Sequence, residues 1–181
     1  NDKLGNISPA EFIPHAEGNG KINALGKWSI EECMKHIFKL EHQGLKNLVY
    51  AINISPKQLF QDDFFKQITQ AMEEYQIKSS TIEVELTEGE VMDNIDKGGE
   101  ILKRLIDFGI KINIDDFGTG HSSLLRLKQI PFNALKIDQS FVKDMLKDDN
   151  SAIIVEAIIF LSKSLGLKTV AEGIENQAQL T

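Results

Sequence analysis

An alternation of short apolar runs with longer segments of helical periodicity, beginning near Asn47, constrains the fold of this chain most. The apolar runs have the length of strands, and the segments between them place apolar residues three or four positions apart. This alternation is typical of a parallel sheet covered by helices. We therefore predict an α/β fold with five strands, at 48–54, 82–86, 110–114, 134–137 and 168–171.

Helix boundaries are marked by proline and glycine. Ser8-Pro9-Ala10-Glu11 and Ser55-Pro56-Lys57-Gln58 both have the sequence of a capping box with proline at the first helical position. Gly44, Gly109 and Gly166 follow the last apolar turn of a predicted helix, where a left-handed glycine commonly ends it.

The predicted strands have one polar face. In the third strand, positions 110, 112 and 114 are isoleucine, whereas positions 111, 113 and 115 are Lys, Asn and Asp. Glu83 with Glu85, and Lys136 with Asp138, repeat this pattern, so polar side chains would meet in one interior. Buried charges must be paired or bind ions. A (β/α)8 barrel with a charged site at the carboxyl ends of its strands meets that need.

Composition limits the partners of the chain. Its 181 residues, 41% hydrophobic and 26% charged, suit one globular domain. With 20 basic and 27 acidic side chains the net charge is −7, which disfavours duplex nucleic acid as a partner. We also expect no direct membrane contact, because no apolar run approaches the roughly 20 residues of a span.

Paired carboxylates precede a glycine-rich turn in the segment Asp115-Asp116-Phe117-Gly118-Thr119-Gly120. The carboxylates can bind a hard divalent cation, and the backbone amides of 118–123 can face an anion. Neighbouring strand residues point to opposite faces, so we expect the strand to stop between Asp115 and Asp116 if both bind one ion. A merely tight turn is the simpler interpretation of the two glycines.

A polar residue lies next to the last residue of every predicted strand. One such residue would ordinarily be a helix cap or a surface charge, but five consecutive strands share the feature. Amide and carboxylate oxygens suit Mg²⁺ or Mn²⁺, and the scattered histidines do not indicate zinc. The candidate residues are Asn53, Glu85, Asp115 with Asp116, Lys136 with Asp138, and Glu172.

These residue types suit phosphodiester hydrolysis. Two cations about 3.5–4 Å apart can bind a phosphodiester and activate water, with Asp115 as the natural bridging ligand. Lys136 can hold the water or offset charge on phosphorus, or it can form an interior ion pair with Glu83 or Asp138. Glu172 can accept the proton of the water or bind the second metal through water. The segment Thr87-Glu88-Gly89-Glu90 either forms a capping box, or Glu88 anchors the glycine-rich turn.

The motifs together resemble the EAL-type cyclic-di-GMP phosphodiesterase domain, and the resemblance covers nearly the whole chain. It rests on Asn53-Ile54-Ser55, Glu85-Leu86-Thr87-Glu88, the segment 115–120, Lys136-Ile137-Asp138 with Phe141-Val142, and Ala171-Glu172-Gly173-Ile174-Glu175. The resemblance implies a modified TIM-like (β/α)8 barrel with one antiparallel strand, two Mg²⁺ or Mn²⁺ ions, and hydrolysis of cyclic-di-GMP to the linear dinucleotide.

It also implies roles for single residues. Asn53, Glu85 and Asp115 would bind the first metal, and Asp115 with Asp116 the second. Lys136 and Glu172 would handle the water, and Asp138 would contact a guanine. Glu88, Gly118 and Thr119 would stabilise the loop.

The sequence departs from the family pattern at its ends. The Glu-Ala-Leu motif with its following Arg, which should precede Asn1, and the later Gln-Gly-Tyr segment, which should follow Thr181, are absent from the sequence, and His121 stands where an aromatic is common. We therefore expect 1–181 to be a single EAL-like domain truncated at both ends, lacking its first strand and its last strand and helix, because such a barrel needs at least about 200 residues. As a fragment it should be inactive or very weak, and its open sheet edges favour a homodimer.

Two further functions remain open at this point. One is a non-catalytic cyclic-di-GMP receptor or regulatory module that contacts protein partners, and the other is a generic sugar-phosphate barrel enzyme. The presence of both water-handling residues favours the phosphodiesterase. The resemblance implies an upstream sensor or GGDEF domain in the parent protein and a cytoplasmic location, including as the cytoplasmic part of a membrane-anchored protein.

Overall fold

The computed structural model describes residues 5–120, 127 and 130–180, excepting the side chains of 90–97. The chain divides into two compact units, Asn1–Leu48 with Ile54–Lys78, and Val49–Asn53 with Ser79–Thr181. Residues 121–123 of the segment whose amides were predicted to face an anion, including His121, lie outside the described residues.

The first unit is helical. Its longest helix buries Ile30, Met34 and Ile37, spaced along one face, and packs against a helix that buries Phe64 and Ile68. This apolar contact forms the core of the unit. The helices are α1 (Pro9–Gly18), α2 (Ile22–His42), α3 (Pro56–Leu59) and α4 (Phe64–Glu74).

Both proline-marked helix starts are confirmed, but only one has the predicted capping contact. Gln58 Oε1 accepts a hydrogen bond from the Ser55 backbone N–H at 3.2 Å, as in a capping box. The Ser55 hydroxyl also donates to Glu17 on α1. Ser8 precedes α1, but within the described chain its side chain forms no capping bond, so that capping box is wrong.

The second unit is a five-stranded sheet with helices. The strands lie in chain order across the sheet, and all four neighbouring pairs are parallel, which confirms the predicted α/β class. The strands are β1 (Tyr50–Asn53), β2 (Ile82–Thr87), β3 (Lys111–Phe117), β4 (Ala134–Ile137) and β5 (Lys168–Ala171). The helices are α5 (Glu88–Phe108), α6 (Gln139–Asp144) and α7 (Asp149–Leu165), with 3₁₀ turns at Ser79–Thr81 and Gln177–Gln179.

Sequence periodicity located all five strands. The last two have the predicted bounds, and the first is shorter than predicted. The third strand departs most, because it continues to Phe117 and therefore includes both Asp115 and Asp116. The prediction that the strand stops between these aspartates is wrong.

The apolar face of the sheet forms the core of the second unit. Val84, Ile112 and Leu135, from three neighbouring strands, are completely buried. Helix α5 ends at Gly109 with φ +101°, as predicted, and a Cβ there would lie 2.6 Å from Ser79 Oγ. Glycine is therefore required at this turn by both conformation and space.

Among the described helices, none combines the length and apolar character that a membrane span requires.

Candidate active site

Parallel pairing brings the polar strand ends to one edge of the sheet. The Cα of Asn53 is in register with that of Glu85, and Thr87 is in register with Asp115. Glu85 is buried, with 8% of its surface exposed, whereas Asn53 is exposed. The register of β1 and β2 therefore places Asn53 beside Glu85, as the predicted convergence of strand ends requires.

Lys136, on β4, connects the carboxylates of three other strand ends. Its Nζ lies 3.0 Å from Glu85 Oε1, 3.0 Å from Asp115 Oδ1 and 2.7 Å from Glu172 Oε1. An ammonium has three N–H donors, so these contacts can use all of them. The alternative that Lys136 pairs with Glu83 or Asp138 is wrong, because its ion-pair partners are these three carboxylates.

The charge state of Lys136 follows from this position. Burial lowers the pKa of the ammonium, but hydrogen bonds with Glu172, Glu85 and Asp115 raise it more, so it lies above its ordinary value. Lys136 therefore remains a cation and a donor, and it is unsuited to accept a proton.

A β-bulge positions the two adjacent aspartates. Ile114 is in register with Leu135, and the next aligned pair is Phe117 with Ile137. Two residues of β3, Asp115 and Asp116, thus oppose Lys136 alone.

The bulge explains how neighbouring carboxylates come together without the strand ending. Asp116 has φ +52°, in the left-handed region, which breaks the usual alternation of side chains. Carboxylate oxygens of Asp115, Asp116 and Glu172 lie within 4.8 Å of one another.

Asp138 is the N-cap of α6. Its Oδ1 accepts a hydrogen bond from the Ser140 backbone N–H at 2.9 Å and another from the Ser140 hydroxyl. Hydrogen bonds from Ser140 lower the pKa of Asp138. The capping role was missed from the sequence, although Asp-x-Ser before a helix was its signal.

The pKa of Asp116 lies above its ordinary value. Burial raises its pKa, and the charges of Asp115 and Asp138 raise it further. We call Glu85, Asp115, Asp116, Asp138 and Glu172 the acidic cluster.

The donor set fits divalent cations. Three of the five carboxylates in the acidic cluster contact the Lys136 ammonium, and among the described residues Lys136 is the one cation that forms ion pairs with the cluster, which leaves an excess of negative charge in a partly buried setting. Such an excess requires compensation, and carboxylate oxygens prefer Mg²⁺ or Mn²⁺. Within the described part of the chain, one group of three carboxylates has the spacing to hold an ion, and it consists of Asp115, Asp116 and Glu172.

The side chain of Glu88 binds the backbone of the glycine-rich turn. This buried residue begins α5, and its Oε2 accepts hydrogen bonds from the backbone N–H groups of Gly118 at 2.7 Å and Gly120 at 3.2 Å. Thr119 Oγ1 donates to the Asp116 carbonyl at 2.8 Å. The Gly118 and Gly120 amides therefore face a protein carboxylate, which corrects the expectation that they face a bound anion. The competing capping box depends on the Glu90 side chain, which lies outside the described residues.

A second polar layer lies on the same sheet face. Glu83 accepts from Lys111 Nζ at 3.1 Å and from Asn113 Nδ2 at 2.7 Å. Burial raises the pKa of Glu83, but these two donors lower it below its ordinary value. The charges in this layer of the polar interior predicted from strand alternation are thus paired.

Comparison with known proteins agrees with this geometry. The family model described as EAL domain matches residues 1–181. A bifunctional diguanylate cyclase/cyclic di-GMP phosphodiesterase, MucR of Pseudomonas aeruginosa, is 37% identical over 175 residues, which are 97% of this chain and 26% of MucR. The chain spans between 21% and 29% of the lengths of the curated relatives it matches.

Two solved structures are similar over most of the chain. The PaMucR phosphodiesterase in complex with c-di-GMP has a TM-score of 0.94 and 36% identity, covering 99% of this chain and 72% of that one. A manganese/cy-diGMP complex of BlrP1 from Klebsiella pneumoniae has a TM-score of 0.75 and 26% identity, covering 86% of this chain and 40% of that one. The fold is thus that of EAL domains, as the sequence motifs indicated. The chain belongs to the EAL domain family.

Proposed function

We propose that this chain is part of a cyclic-di-GMP phosphodiesterase domain, and that its parent protein hydrolyses cyclic-di-GMP to the linear dinucleotide, whereas residues 1–181 alone are inactive or very weak. The observation that carries the proposal is the contact of Lys136 with Glu85, Asp115 and Glu172 beside the Asp115–Asp116 bulge. Relatives named as phosphodiesterases, and neighbours solved with the cyclic dinucleotide, support it.

Two Mg²⁺ or Mn²⁺ ions complete the proposed site. Asn53, Glu85 and Asp115 would hold one ion, and Asp115 with Asp116 the other. When bound, such ions polarise the phosphodiester and lower the pKa of water. The acidic cluster and the manganese complex of a neighbour support this assignment.

Side chains of this chain have separate roles in the proposed reaction. Glu172 would accept a proton from the water that adds to phosphorus, while the P–O bond to one sugar oxygen of the ring breaks and that oxygen takes up a proton from solvent. Lys136, held as a cation, orients the water and stabilises the growing negative charge. Asp138 contacts a guanine, and Glu88 with Gly118 and Thr119 holds the loop beside Asp116.

The test is incubation with Mn²⁺ and cyclic-di-GMP, first of this chain and then of a longer product of the parent gene. Linear dinucleotide from either supports the proposal, provided that Glu172→Gln abolishes it. Tight ligand binding by both without hydrolysis would instead support a receptor. Equal turnover of an adenine cyclic dinucleotide would contradict guanine recognition.

We also propose neighbouring domains, a cellular location and an oligomeric state for the chain. We place it as a single EAL domain within a longer cytoplasmic signalling protein, beside a sensor or GGDEF domain, and as a homodimer. The bifunctional name of the MucR relative supports a cyclase neighbour. One calorimetric unfolding transition and a dimeric mass by light scattering are expected, whereas two separate transitions or a monomeric mass at high concentration would contradict these points.

A further inference from the structure

The segment that follows β5 carries Glu172 at its start and is held mainly by polar contacts. Residues 173–178 and 180 are exposed, whereas Gln179 is half-buried. An exposed segment of this kind has little apolar contact to fix its position. The hydrogen bonds of Gln179 therefore matter for where the segment lies.

The side-chain amide of Gln179 joins this segment to α6. Its Oε1 accepts from the backbone N–H of Glu175 at 2.8 Å and of Asn176 at 3.2 Å. Its Nε2 donates to the Val142 carbonyl on α6 at 3.1 Å. One amide thus uses its acceptor on the turn 173–176 and its donor on the helix.

The same turn approaches the start of α6. Gly173 has φ +73°, and a Cβ at this residue would lie 3.0 Å from Gln139 Cβ. The Glu172 backbone N–H donates to the Ile137 carbonyl at 3.2 Å. Glu172 is therefore fixed between the end of β4 and the start of α6, the helix that Asp138 caps.

We propose that Gln179 is a positioning residue for Glu172. By holding the turn 173–176 on α6, its amide keeps the Glu172 carboxylate at Lys136 Nζ, 2.7 Å away, and beside Asp115 and Asp116. Two parts of the acidic cluster, Asp138 and Glu172, thereby share α6 as a common support. The inference rests on the proposed function for its kinetic consequence, but not for its effect on metal affinity.

Three variants separate the hydrogen bonds that Gln179 accepts from the turn 173–176 from the hydrogen bond that it donates to α6. Gln179→Ala removes both. Gln179→Glu keeps an acceptor for the Glu175 and Asn176 amides but cannot donate to Val142. Gln177→Ala is the matched control, because Gln177 is exposed in the same 3₁₀ turn. The readouts are Mn²⁺ affinity by calorimetry without substrate and Tm, both measured on this chain, and kcat and KM for cyclic-di-GMP, measured on the longer product of the parent gene.

We expect Gln179→Ala and Gln179→Glu each to weaken Mn²⁺ binding and lower kcat by about tenfold, as is typical when a ligand loses its outer support. The KM of both Gln179 variants should stay within about twofold of the value without substitution. The Mn²⁺ affinity, kcat and KM of Gln177→Ala should also stay within about twofold of the values without substitution. Rescue by Gln179→Glu would overturn the role of the α6 contact. A lower Tm with unchanged kcat and Mn²⁺ affinity would reduce Gln179 to a structural role and also overturn the proposal.

Failure of the proposed function is a separate result. If neither this chain nor the longer gene product hydrolyses cyclic-di-GMP, the phosphodiesterase assignment falls, and Mn²⁺ affinity alone decides the role of Gln179. An unchanged affinity in Gln179→Ala would then contradict the positioning role, and a tenfold loss would support it.

Discussion

At the scale of single residues, Lys136 determines the electrostatics of the site. Its ammonium contacts carboxylates from β2, β3 and the end of β5 at distances of 2.7–3.0 Å. The acidic cluster still has more negative charge than one cation can balance, so the fold keeps a repulsive arrangement that bound metal ions would relieve.

A substitution at Asp116 tests this repulsion. Asn tolerates the left-handed φ of this position, and it removes a carboxylate whose pKa is raised by burial and by its neighbours. We expect Asp116→Asn to weaken Mn²⁺ binding and yet raise the Tm of the metal-free chain by about 2–4 °C, equivalent to about 1 kcal/mol. Thermal unfolding in EDTA checks this, with the exposed Asp107→Asn as control. A lower Tm for Asp116→Asn would contradict the repulsion.

Glu83 provides a pH-dependent contribution outside the acidic cluster. Burial raises the pKa of its carboxyl, but hydrogen bonds from Asn113 and Lys111 lower it more, so the pKa in the folded chain lies below its ordinary value. A depressed carboxyl pKa stabilises the fold above the unfolded value, and this is lost as the pH falls through the folded value.

We therefore expect Glu83→Gln to lower Tm most near neutral pH. The difference from the original chain should shrink as the pH falls below 4.5. Tm measured against pH checks this, with the exposed Glu100→Gln as control. A gap that stays constant down to the acid limit would show that Glu83 acts through shape rather than charge.

At the scale of elements, the end of β3 and the turn that follows it form the central part of the candidate site. The bulge brings Asp115 and Asp116 together, and Glu88 on α5 fixes the turn through the Gly118 and Gly120 amides. The turn must also fit closely against its neighbours. At Gly118, with φ +103°, a Cβ would lie 2.9 Å from Phe141 and 3.1 Å from Ile158.

Gly118→Ala should accordingly cost about 1–3 kcal/mol of folding free energy, because a strained φ and a steric contact coincide. Gly89→Ala is the matched control. Gly89 lies in α5 with nothing within 4 Å of an added Cβ, so alanine should stabilise by up to about 1 kcal/mol. Urea denaturation of both variants measures the difference. Equal free energies of unfolding would show that the turn has more room than its geometry indicates.

Sequence periodicity predicted the elements well because strand and helix periods are local properties. The bounds of β4 and β5, and the glycine at the end of α5, follow from a few neighbouring residues. The bulge could not be predicted in this way, because it depends on the register between β3 and β4. Register is a property of two strands that lie apart in the sequence, so no single segment encodes it. The capping role of Asp138 was visible in principle, whereas the contact of Gln179 with α6 requires the tertiary fold.

At the scale of the whole molecule, cation binding should stabilise a chain of net charge −7. A ligand that binds only the folded state at 100 times its Kd adds about 2.7 kcal/mol. We expect saturating Mn²⁺ to raise Tm clearly above that in NaCl of equal ionic strength. Asp115→Asn should remove most of this rise, because Asp115 contributes to both proposed ion positions. An equal rise in Asp115→Asn would place the bound ions elsewhere.

The most direct test is anomalous diffraction from crystals of this chain grown with Mn²⁺. We expect two manganese peaks about 3.5–4 Å apart, bridged by Asp115 and flanked by Glu85 and Asp116. No peak at these carboxylates, or peaks only at other surfaces of the chain, would contradict the proposal that the strand ends form a metal-binding phosphodiesterase site.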